Sequence, residues 1–166
     1  RFVTTPAIYG DYVITVSQVM TEDQITGVTV YCFEATPGDP YPTVNDGYQN
    51  PGGTTSDIIW MKTFSGYKTY ASPIISDGTA YIVMTNQTGH VVIYAFDADG
   101  MMDGIDGQFP DPIYYVDMLW YTEVSNNYGG SITRTPALES GTLVVPLEQS
   151  GQTCYLFFDV HNTGVG

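Results

Sequence analysis

Apolar residues in this chain fall in short runs broken by Gly, Pro, Asp and Ser, with no segment in the 3.6-residue rhythm of an amphipathic helix. Residues 12–16, 80–84 and 143–147 are apolar enough to form central strands buried on both faces. Each follows a turn-forming cluster: Tyr9-Gly10-Asp11, Ser76-Asp77-Gly78 and Glu139-Ser140-Gly141. Each is followed by a glycine that opens a further run, over 27–35, 89–98 and 151–160. Runs centred on Trp60 and Trp120, over 58–62 and 118–122, close the first two groups. The pattern predicts an all-β chain of four-stranded antiparallel units.

The units are copies. Thr4-Thr5-Pro6-Ala7-Ile8, Ala71-Ser72-Pro73-Ile74-Ile75 and Arg134-Thr135-Pro136-Ala137-Leu138 head them, and their prolines stand 67 and 63 residues apart. A four-stranded propeller blade needs about 40–50 residues. The surplus sits in two stretches between the third and fourth strands: 36–57, rich in Pro and Gly, and 97–117, rich in Asp and Gly. Three modules follow, over 1–62, 63–124 and 125–166, the last without a Trp strand of its own.

The order of small residue, Pro and apolar residue, then an Asp/Gly turn, a Tyr-Ile-Val strand, Val-Ile-Tyr-Ala-Phe-Asp-Ala and a later Trp resembles the repeat of the PQQ-like β-propeller superfamily. Module two carries it most fully, in Ser72-Pro73, Asp77-Gly78, Tyr81, Tyr94-Ala95-Phe96-Asp97 and Trp120. The resemblance implies propeller blades and says little about activity, because this architecture hosts unrelated functions. Quinoprotein dehydrogenases of that superfamily hold their cofactor with adjacent cysteines. This chain has only Cys32 and Cys154, so the quinoprotein activity is not carried over. Trp60 and Trp120 then read as blade-packing residues. Propellers close with about four to eight blades, and three modules fall short. Either further blades of a longer chain or other copies of this chain complete the sheets, the second by strand addition at exposed edges.

Charge narrows the partners. With 18 acidic residues against 4 basic ones the formal net charge is −14, which disfavours nucleic acid and anionic membrane surfaces. No apolar stretch is long enough for a transmembrane helix. The two cysteines occupy different repeat positions in different modules and are expected as thiols. Nucleophile elbow, phosphate loop and zinc-protease motifs are all missing.

Three local features carry chemistry. Asp97, Asp99, Asp103 and Asp106 alternate with glycines and form a candidate structural Ca²⁺ loop, although Gly100 and the missing terminal Glu depart from the EF-hand. Tyr41, Tyr48, Tyr114 and Tyr115 in the two long stretches are candidates for binding a sugar or peptide. Asn86-Gln87-Thr88 is a glycosylation sequon in a predicted hairpin. The leading expectation is a non-enzymatic, secreted structural or adhesive module at the cell surface or in the periplasm. A ligand-binding propeller, or part of an enzyme whose active residues lie elsewhere, are the alternatives.

Overall fold

A computed structural model describes residues 4–34, 58–98, 118–124, 130–132 and 134–161. In the first sheet β1 (Ala7–Tyr9), β2 (Tyr12–Thr21), β3 (Gln24–Glu34) and β4 (Ile58–Ser65) lie in chain order, each antiparallel to the next. The second repeats this with β5 (Ile74–Ser76), β6 (Thr79–Thr85), β7 (Val91–Asp97) and β8 (Met118–Val124). The third contains β9 (Ala137–Glu139), β10 (Thr142–Gln149) and β11 (Gln152–Asp159). Among the described residues there is no helix, and β11 has no fourth strand beside it.

The registers repeat as closely as the sequence does. Ala7 faces Ile14, Ile74 faces Tyr81 and Ala137 faces Val144; on the next ladder Ile14 faces Cys32, Tyr81 faces Ala95 and Val144 faces Phe157. Among the described residues four two-residue turns join paired strands with positive φ at both positions: Glu22-Asp23 at 49° and 63°, Asp77-Gly78 at 50° and 78°, Ser140-Gly141 at 48° and 76°, and Ser150-Gly151 at 51° and 78°. Positive φ at both turn residues matches the right-handed twist of the strands on either side.

Two boundaries differ from the sequence reading. β3 starts at Gln24, after an Glu22-Asp23 turn, so Gly27 lies inside the strand rather than opening it. A bulge between Val19 and Met20 absorbs the extra residue. β4 runs to Ser65, three residues past the module boundary drawn at 62, because Thr63, Phe64 and Ser65 still pair with Thr29, Val28 and Gly27.

The sheets stack. Ile14, Val16, Val30 and Trp60 of the first sheet pack against Ala80, Ile82, Met84 and Phe96 of the second. The opposite face of the second, with Tyr81, Val83, Ile93 and Ala95, packs against Leu143, Val145 and Leu147 of the third. Alternation sends successive side chains to opposite faces, so the middle sheet is apolar on both and contributes to both cores. The short strands β1, β5 and β9 adjoin one another in that order. Residues preceding the repeated prolines link them: the Thr5 N–H donates to Ser72 Oγ at 2.9 Å, and the Ser72 N–H to Thr135 Oγ1 at 3.3 Å.

Candidate functional site

Stacking assigns each sheet a leading and a trailing face. The leading face of the first sheet, with Ile14, Val16 and Cys32, meets the trailing face of the second. The leading face of the second, with Tyr81, Val83 and Ala95, meets the trailing face of the third. By register, the leading face of the third sheet consists of Val144 and Pro146 on β10 and Tyr155 and Phe157 on β11, with Pro146 opposite Tyr155 and Val144 opposite Phe157. Tyr155 is 57% and Phe157 69% exposed, whereas Cys32 and Ala95, at the register position of Phe157, are fully buried. Exposing two rings side by side on a flat sheet leaves apolar area in water that the same position buries in the other two sheets.

At the other end, the trailing face of the first sheet carries a Tyr31–Phe33 pair, stacked at 5.7 Å between ring centres and tilted 18°. The corresponding pair of the second sheet, Tyr94–Phe96, is stacked at 5.9 Å and 6°, and it packs onto Phe64 of the first sheet. Burial pushes the Tyr94 phenol well above its ordinary pKa, and its neighbour Tyr67, whose hydroxyl lies 3.2 Å away, pushes it further. This phenol is therefore a neutral packing group. Thr15, Ser17 and Thr29 stand where the second sheet has Ile82, Met84 and Val92, so the trailing face of the first sheet is the more polar of the two.

Of the residues singled out in the sequence, Asp97 closes β7 opposite Thr79. Asp99, Asp103 and Asp106 lie outside the described residues, as do Tyr41, Tyr48, Tyr114 and Tyr115. Among the described residues no three His, Cys, Asp or Glu side chains form a metal-ligating group. Cys32 is buried and points its thiol at the Ala98 carbonyl at 3.4 Å, and Cys154 is free and half-buried. Trp60 is 2% exposed and donates its indole N–H to the same carbonyl at 3.2 Å.

Asn86 folds the β6–β7 turn on itself. Its Oδ1 accepts from the Thr88 hydroxyl at 2.7 Å, the Thr88 N–H at 3.0 Å and the His90 N–H at 2.9 Å. Its Nδ2, the atom a glycan would take, donates to Glu123 Oε1 on β8 at 3.0 Å. The His90 ring bonds the same oxygen, and these two contacts hold the Glu123 carboxyl below its ordinary pKa, His90 having the larger effect.

The leading face of the third sheet was hidden in the sequence because Cys154, Leu156 and Phe158 alternate with Tyr155 and Phe157, making the run apolar on both faces. Only register against the first two modules separates buried from exposed positions. Compared with protein-family models and with curated proteins, the chain matches none.

Proposed function

We propose that this chain is a non-enzymatic structural module of propeller type, and that a second copy completes its stack. The carrying observation is that one face-to-face contact is used twice within the chain and its leading half is presented a third time, unpartnered, by Val144, Pro146, Tyr155 and Phe157. The second copy would offer the trailing face of its first sheet, where Tyr31–Phe33 repeats the aromatic pair through which the second sheet packs onto the first. The pre-proline ladder supports the same direction of growth, since Thr135 occupies the position from which Thr5 and Ser72 each donate to the next module.

Such a head-to-tail contact is heterologous, and it either closes into a ring or propagates as a filament. Two copies of three sheets fall within the range of about four to eight blades in which propellers close. Closure would bury the exposed leading face of the third sheet in both copies at once, which favours the ring over open growth. A secreted or surface setting fits the acidic, sequon-bearing sequence.

Replacing Tyr155 and Phe157 together by Glu tests the reading. The paired substitution places charge on the leading face without touching either internal core, so self-association is expected to disappear while the melting temperature of the single chain stays within a few degrees. Association unchanged by both substitutions would remove this face from the contact.

A further inference from the structure

The two junctions between sheets are built on the same positions yet differ at one corner. Where the first sheet meets the second, Tyr9 at the β1–β2 turn lies over Gly78, its hydroxyl oxygen 3.7 Å and its nearest ring atoms 3.9 Å from where a Cβ would stand. Trp60 closes the floor by bonding the Ala98 carbonyl. Where the second sheet meets the third, register places Ser76 at the position of Tyr9, Gly141 at that of Gly78 and Trp120 at that of Trp60. Ser76 is small, and the ring of His161 lies over Gly141 where that of Tyr9 lies over Gly78. Tyr81, in place of Ile14, sets its ring 5.9 Å from that of Trp120, and among the described residues Trp120 makes no indole bond like that of Trp60.

The result is a cleft of about 370 Å³ lined by Ser76, Asp77, Tyr81, Trp120, Ser140 and His161 among others. Its size lies at the lower end of the range of about 300–1,000 Å³ in which small-molecule sites occur. In that lining the Trp120 ring is half-buried and the Tyr81 ring buried, and the polar groups present are hydroxyls, a carboxylate and an imidazole. His161 is held across Gly141, where a Cβ would collide with its ring, and its backbone N–H donates to Asp159 Oδ1 at 3.0 Å. Ser140 and Asp77 are presented by rigid turns with φ of 48° and 50°.

We infer that this cleft binds a neutral pyranose, a terminal sugar ring of a glycan. The apolar face of a pyranose stacks on an aromatic ring while its edge hydroxyls need acceptors and donors that alternate closely, and this lining supplies both. Asp77 and the net charge of −14 select against anionic ligands. The inference is independent of self-association, because every lining residue belongs to one chain.

The test is calorimetric titration of the full chain with methyl β-D-glucopyranoside, methyl β-D-galactopyranoside and methyl α-D-mannopyranoside, with p-cresol as the aromatic control. Saturable binding of at least one glycoside is expected. Ser76→Tyr, which puts a bulky ring into the lining of the cleft, should abolish it with the melting temperature preserved. Asp77→Asn, which keeps the turn, should weaken it by about tenfold or more, as loss of a charged hydrogen-bond partner does. No saturable binding of any glycoside, binding of p-cresol alone, or binding undiminished in either variant would overturn the inference.

Discussion

At the scale of the residue, one glycine is fixed by a neighbour rather than by its own conformation. Gly27 sits inside β3, and a Cβ there would lie 2.8 Å from the carbonyl oxygen of Phe64 on β4. Backbone cannot yield as a flexible side chain can, so Gly27→Ala must push β3 from β4. That substitution is expected to destabilise the chain by about 1–3 kcal/mol, the usual cost of overpacking, read as a lower urea midpoint at unchanged slope. An unaltered midpoint would show that the two strands separate freely. The sequence marked Gly27 as a strand opener because Gly89 and Gly151 head the corresponding runs of the other two modules. What it did not carry was the bulge at Val19 and Met20, which shifts the first module relative to its copies. Trp60 and Trp120 were legible as packing residues, since each is seated against a ring, Phe96 at 5.9 Å and Tyr81 at 5.9 Å.

Among elements, the Asn86 turn ties the β6–β7 hairpin to β8. Glu123 accepts from Asn86 and pairs with His90, and both contacts favour its ionised form. A carboxyl whose pKa is lower folded than unfolded stabilises the fold fully above its ordinary value of 4.5. That contribution is lost as pH falls through the lowered folded value. Melting temperature measured from about pH 6 to pH 3 should therefore drop more steeply in the parent than in Glu123→Gln, the two curves converging at the acid end. Parallel curves would mean that the pair contributes nothing to folding. Four-strand order, antiparallel pairing and the turn clusters were readable because period-2 patterning and Gly/Asp turns are local signals. The candidate sites fared differently. The aspartate set except Asp97, and all four tyrosines, lie in the long stretches outside the described residues. The cleft and the leading face of the third sheet arise from comparing equivalent positions in different sheets, a relation that only the registers supply.

For the whole molecule, the three-sheet stack exposes one face of a kind that its interior buries: the apolar leading face of the third sheet, with Tyr155 and Phe157. On the trailing face of the first, Tyr31 and Phe33 are half-buried and Thr15, Ser17 and Thr29 are buried. Burial of each ring contributes about 1.5–3 kcal/mol, opposed by the repulsion between two copies that each carry −14. Salt near 0.15 M shortens the reach of that repulsion to about 8 Å, which sets the condition for the decisive measurement. Sedimentation velocity of the purified chain at that ionic strength, over a hundredfold range of concentration, reads the native mass directly. The account predicts a discrete species at twice 18.2 kDa, as two head-to-tail copies require. A species of 18.2 kDa at every concentration would contradict it.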